Sequence, residues 1–130
     1  MKLLLDTHIV IWWLSASPRL GKSAHTLIQE NDCTVSVATF IESRFLALAG
    51  RARIPELSTM IRHLEQDGIS ILPLAAAHVG ESMRFEQSHP DIYDRLLLGA
   101  AIVENCTLLT RDAALLALAK KAKLAWVMEN

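Results

Sequence analysis

The stretch Lys2-Leu-Leu-Leu-Asp6, near the start of the chain, decides the fold class. Three consecutive leucines with no polar residue among them predict a short strand over Lys2–Leu5 that is buried on both faces. An acid directly after such a strand is hard to explain as an ordinary surface residue. Asp6 therefore marks the carboxyl end of a buried strand, where α/β proteins place their binding crevices.

Outward from this strand, short apolar runs alternate with segments of helical periodicity. Four more strands are predicted, at residues 33–37, 69–72, 107–110 and 124–127. Helices are predicted between the strands, among them residues 8–14, 39–49, 75–88, 91–105 and 112–121. This alternation predicts a three-layer α/β/α sandwich with a mostly parallel sheet of about five strands. We expect the whole chain, residues 1–130, to form one domain.

Composition narrows the class of protein. The 130 residues are 52% apolar and 21% charged, which is typical of a globular chain and excludes disorder. The net charge of −1 disfavours bulk electrostatic binding of nucleic acid but allows a local basic patch. Cys33 and Cys106 are too few for a disulfide scaffold and are expected to be reduced, buried thiols. Asp6 and His8 interrupt the apolar start, so we expect a cytoplasmic protein with no membrane helix.

Four acids are candidates for a common site. Asp6 follows the first predicted strand, Glu42 lies one turn into the helix after the second, and Asp112 comes two residues after the fourth. Asp94 lies in the first turn of the helix that leads into the fourth strand. Parallel strands bring their carboxyl ends to one edge of the sheet, and clustered carboxylates repel one another unless protons or cations intervene. The pattern favours a hard divalent cation bound through oxygen.

Each acid also has a structural explanation. Thr39 and Glu42 fit a capping box, in which the glutamate bonds back to the cap residue. Asp91 could be an N-cap with Asp94 at the third helical position, and Asp112 suits a helix start. Asp6 is the hardest of the acids to explain in this way. The structural and the metal-binding interpretations both stay open for the individual residues.

Four blocks of this sequence together resemble the signature blocks of PIN-domain ribonucleases, and most closely those of VapC-type toxins of bacterial toxin–antitoxin pairs. The blocks are Leu3-Leu-Leu-Asp-Thr-His-Ile9, Val35-Ser-Val-Ala-Thr-Phe-Ile-Glu42, His89-Pro-Asp-Ile-Tyr-Asp-Arg-Leu-Leu-Leu98 and Leu109-Thr-Arg-Asp112. Their order and spacing hold over essentially the whole chain. The chain departs from the family pattern at Ile41, where tryptophan is common, and at Pro90, which precedes Asp91 instead of following it.

The resemblance implies an endoribonuclease that depends on Mg²⁺ or Mn²⁺ and hydrolyses RNA by metal-activated water. Its catalytic and metal-binding residues would be Asp6, Glu42, Asp94 and Asp112, the last holding a second, weaker metal or a metal-bound water. Thr110 would support the site beside Asp112. The resemblance further implies a homodimer and a cognate antitoxin that inhibits the protein from a hydrophobic groove.

Several neighbouring residues have two interpretations. His8 and His89 flank the acids and could shuttle protons or be structural. Trp12 and Trp13 could stack on a base or belong to the core. Arg95 could orient Asp94 or face the RNA backbone. The alternative to an enzyme is a catalytically idle PIN fold that only binds RNA or protein, and loss of one of the four acids would be its signature.

Overall fold

The computed structural model describes residues 1–124 and 127–129. Within them, five strands and seven helices alternate along the chain. The strands are β1 (Lys2–Leu5), β2 (Asp32–Ser36), β3 (Ser70–Leu72), β4 (Thr107–Thr110) and β5 (Val127–Glu129). The helices are α1 (Thr7–Leu14), α2 (Lys22–Glu30), α3 (Val37–Leu48), α4 (Leu57–Gln66), α5 (Ala76–Ser82), α6 (Ile92–Glu104) and α7 (Ala113–Ala122). None of the described helices is long and apolar enough to cross a bilayer.

The strands form one sheet in the order β3-β2-β1-β4-β5, and every described pairing is parallel. The parallel sheet of five strands is confirmed. β1 lies at its centre, with Leu3 in register with Cys33 of β2 and Thr107 of β4. The carboxyl ends of β1, β2 and β4 therefore lie side by side at one edge, and this edge carries the candidate site.

The leucines of β1 divide the core into two halves. Leu3 and Leu5 are fully buried on one face of the sheet, in a cluster that includes Ile9 of α1 and Ile28 of α2. Leu4 is fully buried on the other face, among residues of α6 and α7. Successive side chains of a strand point to opposite faces, so a strand covered by helices on both sides needs apolar residues throughout. The three-layer α/β/α arrangement is confirmed.

The predicted start of α3 was wrong by two residues. The helix begins at Val37, because the hydroxyl of Ser36 accepts the backbone N–H of Ala38 at 3.1 Å and caps it. Val37 thus belongs to the helix and not to β2. The hydroxyl of Thr39 instead lies 3.1 Å from that of Thr7 on α1. Thr39 is inside the helix, so the predicted capping box with Glu42 does not form.

Two other predicted elements differ. The helix expected over residues 75–88 ends at Ser82 and continues only as the 3-10 turn Met83–Phe85. The fifth strand was expected at residues 124–127, of which 125 and 126 lie outside the described residues. Leu124 lies just past α7 and closes its C-terminus, since its N–H donates to the carbonyl of Ala119 at 2.8 Å, and β5 begins only at Val127.

Candidate active site

Three buried carboxylates lie at the carboxyl edge of the sheet. Asp6 is the residue between β1 and α1, Glu42 lies in the second turn of α3, and Asp94 lies in the first turn of α6. Their exposed fractions are 4%, 8% and 7%. Carboxylates are rarely buried to this degree without a paired charge, so their common location requires an explanation.

Asp6 is held at both carboxylate oxygens. Oδ1 accepts the backbone N–H of Thr7 at 2.7 Å, and Oδ2 accepts the hydroxyl of Thr110 at 2.6 Å. Burial raises the pKa of Asp6, while the hydrogen bonds from Thr110 and Thr7 lower it. Thr110 also accepts the backbone N–H of Asp112 at 3.0 Å, so one hydroxyl joins the ends of β1 and β4.

Glu42 has an unsatisfied oxygen. Its Oε1 is buried and has no hydrogen-bond partner among the described residues. Burial raises the pKa of Glu42, a hydrogen bond from the side chain of Thr7 lowers it, and the negative charge of Asp6 raises it further. A buried polar atom without a partner is costly in a folded protein and calls for a proton, a water or an ion. Since the capping box is absent, the structural explanation offered for this residue does not apply.

Asp94 is placed by its own helix cap and by a histidine. Asp91 accepts the backbone N–H groups of Tyr93 and Asp94 at 2.9 and 3.1 Å, which confirms it as the N-cap of α6. The Oδ2 atom of Asp94 lies 2.7 Å from Nε2 of the buried His89. Burial raises the pKa of Asp94 to about 8, with further contributions from Asp6 and Asp91. The charges of Glu42 and Asp112 also raise the pKa of Asp94. All of these acids therefore lie close enough to Asp94 to interact with it electrostatically.

His89, for which the sequence left a proton-shuttle and a structural interpretation open, contacts Asp94. Arg95 of α6 donates to the carbonyls of His89 and Pro90, each at 2.9 Å, and so fixes the turn before the helix. This turn folds the imidazole back onto the carboxylate of Asp94. The spacing of five residues across a Pro-Asp turn was the available signal for this contact. Arg95 thus acts on the turn, which neither of its two predicted roles describes.

Asp112 differs from the other three acids because it is exposed. Its Oδ1 accepts the backbone N–H of Leu115 at 2.9 Å, which confirms the helix-start interpretation. Its charge still contributes to the raised pKa of Asp94. Asp112 therefore lies at the rim of the site, where a cap and a weak ligand are compatible roles.

The donor set suits a hard cation, although the described residues contain no ready-made cluster of three His, Cys, Asp or Glu ligands. The available atoms are carboxylate oxygens, which Mg²⁺ and Mn²⁺ prefer. Glu42 has one oxygen without a described partner, and burial together with the charges of neighbouring acids raises the pKa of Asp94, so a bound cation would stabilise the ionised forms of both. The residues present therefore fit a divalent cation.

An apolar groove lies next to the acids, between α3 and α4. It has a volume of about 880 Å³, and its wall includes Phe40, Phe45, Leu48, Met60 and Ile61. Phe45 and Leu48 are 53% and 73% exposed. At one end the ring of Phe45 lies 6.4 Å from that of Tyr93, the residue before Asp94. The groove is therefore lined by the residue that precedes Asp94 in the chain.

Comparison with known proteins shows the family of this chain. The family model of the PIN domain matches residues 3–124. Ribonuclease VapC22 of Mycobacterium tuberculosis is 32% identical over 119 residues, which cover 86% of this chain and 88% of that protein.

Two solved structures are similar in fold. One is VapBC2 from Rickettsia felis bound to a DNA fragment from their promoter, with a TM-score of 0.65, 18% identity and coverage of 100% and 98% of the two chains. The other is a toxin–antitoxin complex from Klebsiella pneumoniae, with a TM-score of 0.62, 18% identity and coverage of 97% and 95%. By the family match and the VapC relative, this chain belongs to the PIN-domain family, among its VapC-type members.

Proposed function

We propose that the protein is a divalent-metal-dependent endoribonuclease and the toxin of a toxin–antitoxin pair. The observation that carries the proposal is the cluster of Asp6, Glu42 and Asp94, buried together with one carboxylate oxygen lacking any described partner. The similarity to a protein named as a ribonuclease supports the reaction class. Membership in the family with all four acids retained argues against the idle binding module.

Asp6, Glu42 and Asp94 would hold Mg²⁺ or Mn²⁺, with Asp112 at the rim for a second ion or a bound water. When bound, the metal supplies activation of water and neutralisation of the charge that develops on the phosphodiester. The chain's own contribution is orientation. Thr110 fixes one oxygen of Asp6, and His89 contacts one oxygen of Asp94. The other Asp94 oxygen and the unpaired Glu42 oxygen are available for the cation.

The decisive experiment is cleavage of RNA by the parent, Asp6→Asn and Asp32→Asn in Mg²⁺, in Mn²⁺ and in chelator. Asp6→Asn keeps the shape of the side chain and removes a ligand charge. Asp32 is an exposed acid at the amino end of β2, opposite the site, and serves as the matched control. We expect metal-dependent cleavage by the parent and the control, with 3′-hydroxyl and 5′-phosphate products, and loss of activity in Asp6→Asn. Equal, chelator-insensitive cleavage by all three would refute the metal mechanism.

The antitoxin is proposed to bind the groove between α3 and α4. A segment with apolar side chains would cover the exposed Phe45 and Leu48, and a basic side chain at its end would pass Tyr93 and face the acids. An arginine there would neutralise the carboxylates as a cation does. Excess Mn²⁺ should then compete with such a peptide. Peptide affinity that responds neither to Mn²⁺ nor to Asp94→Asn would refute the arginine contact and leave the nuclease proposal intact.

Two further properties belong to the proposal. A homodimer is supported by apolar side chains outside the groove, since Val79 and Met83 are 45% and 60% exposed. A cytoplasmic location is supported by the two cysteines, Cys33 and Cys106, which are free and buried.

A further inference from the structure

A second cleft includes Arg111, the residue that directly follows β4. It has a volume of about 540 Å³ and is lined by Trp12, Pro18, Arg19 and Arg111. Arg111 lies between Thr110, whose hydroxyl donates to Asp6, and Asp112 at the rim of the site. The cleft is thus joined to the carboxylates through the backbone that follows β4. No role in the proposed metal site uses these four residues.

The cleft combines an aromatic face with cations. The guanidinium carbon of Arg111 lies 6.0 Å from the centroid of the Trp12 ring, at the outer limit of a cation–π contact. The same guanidinium donates to the carbonyl of Arg19, which holds the Arg111 side chain along the cleft. The His8 ring lies 6.0 Å from Trp12 on the same helix. Trp12 is half-buried, whereas Arg19 and Arg111 are exposed.

Trp12 and Trp13 both pack in part against the core, but their outward contacts differ. The indole N–H of Trp13 donates to Asp67 at 2.8 Å, and its ring lies 4.9 Å from that of His25. Trp13 is therefore tied to α4 and α2. Trp12 instead lies near the guanidinium of Arg111 and the ring of His8. This is the type of surface on which a nucleobase stacks while a phosphate contacts an arginine.

The charge of the protein makes a cationic surface near the acids necessary for binding RNA. The chain carries a net charge of −1, and the buried acids repel a polyanionic substrate. Binding of RNA near these acids requires cations close by. Within the cleft, Arg19 and Arg111 supply them next to Asp112.

We infer that Trp12, Arg19 and Arg111 form a subsite for one nucleotide of single-stranded RNA that flanks the bond to be cleaved. The base stacks on Trp12, and the phosphate is bound by the guanidinium groups of Arg111 and Arg19. This inference rests on the proposed nuclease function. It adds the place at which the RNA strand is bound as it leaves the acids. The subsite acts in binding and positioning, whereas the acids act in the chemical step.

The test measures binding of a short fluorescein-labelled single-stranded RNA by anisotropy in chelator, across a salt series, for folded variants checked by melting temperature. We expect Trp12→Ala and Arg111→Gln each to weaken binding about tenfold, and Trp12→Phe to retain most of the affinity. Arg111→Gln should also lower the log–log salt slope by about 1, and Trp12→Ala should leave the slope unchanged. Arg62→Gln, which removes an arginine of the α4 surface, is the matched control and should bind as the parent does.

Kinetics in Mg²⁺ separates this inference from the proposed function. The subsite variants should raise KM with little change in kcat, whereas Asp6→Asn should abolish kcat. If the parent cleaves RNA and both Trp12→Ala and Arg111→Gln bind and cleave as the parent does, the subsite is refuted and the nuclease stands. If the parent cleaves no RNA under any metal condition, the nuclease proposal fails, and the anisotropy series alone then decides for or against the subsite.

Discussion

Protonation of Asp94 should make the metal-free protein more stable as the pH falls. Burial and the neighbouring acids raise the pKa of Asp94 from its ordinary value of 3.8 to about 8. At any pH between 3.8 and about 8, Asp94 is therefore mostly protonated in the folded state and mostly ionised in the unfolded state. The free energy of unfolding therefore decreases as the pH rises through this window and levels off above about pH 8.

The size of the effect follows from the same pKa. Between about pH 5 and pH 7 the folded and unfolded states differ by nearly one proton, which corresponds to about 1.4 kcal/mol per pH unit. The parent in chelator should therefore be about 2.5 kcal/mol more stable at pH 5 than at pH 7 through this residue alone, or roughly 10 °C in Tm. Asp94→Asn removes the titration and keeps a side chain that can hydrogen-bond His89.

The assay is thermal unfolding in chelator at several pH values for the parent and Asp94→Asn. We expect Asp94→Asn to be the more stable protein at neutral pH and to have the flatter pH dependence. Added Mn²⁺ should raise the Tm of the parent at neutral pH but not that of Asp94→Asn, because a cation bound by the ionised acids stabilises the folded state. Parallel Tm curves for the two proteins would refute the buried, protonated Asp94. A parent that instead loses stability towards pH 5 would likewise refute the raised pKa of Asp94.

Three further predictions address other parts of the molecule. Glu42→Gln should abolish cleavage with little change in Tm, and an active variant would return this residue to a structural role. His89→Ala should weaken Mn²⁺ binding by roughly tenfold, because His89 no longer holds one oxygen of Asp94 in place. The measurement is electron paramagnetic resonance of Mn²⁺ without RNA, and an unchanged Mn²⁺ affinity would refute this role of His89. Gly99→Ala should destabilise the fold by about 3 kcal/mol in urea, since its Cβ would lie 2.3 Å from the carbonyl oxygen of His78 and 2.8 Å from the nitrogen of Ser82. Gly80→Ala, where a Cβ meets nothing within 4 Å, is the control, and equal losses in the two variants would contradict the close approach.

The layers and the sheet could be predicted because they depend on local patterns. Leu3, Leu4 and Leu5 lie in a strand covered on both faces, and only a continuous apolar run fits that environment. The place of Asp6 followed from the end of this strand. The ends of helices and strands were predicted less well. Ser36 and Thr39 are both good N-cap residues, and the sequence does not show that Thr39 instead contacts Thr7, which is distant in the chain.

The sequence predicted which acids form the candidate site, but not how deeply each one is buried or which side chains it contacts. Nothing local distinguishes the exposed Asp112 from the buried Asp94, because burial depends on how α6 packs beneath the edge of the sheet. The contact of His89 with Asp94 depends on a turn that Arg95 holds through two backbone carbonyls. Such contacts join side chains through tertiary geometry, which periodicity and spacing do not encode.

The way the helices start explains how the fold tolerates so many acids at one edge. Asp6, Asp91 and Asp112 are the N-caps of α1, α6 and α7, so three helix N-termini lie around the site. The partial positive charge of each terminus, with its free N–H groups, stabilises a carboxylate there. Glu42 has no such support because it lies in the second turn of α3, and it is this residue whose oxygen lacks a described partner. The fold thus satisfies its capping acids internally and leaves Glu42 dependent on a proton or a cation. Amide variants of the caps can still accept the same N–H bonds, so they separate the chemistry of these acids from their structural role.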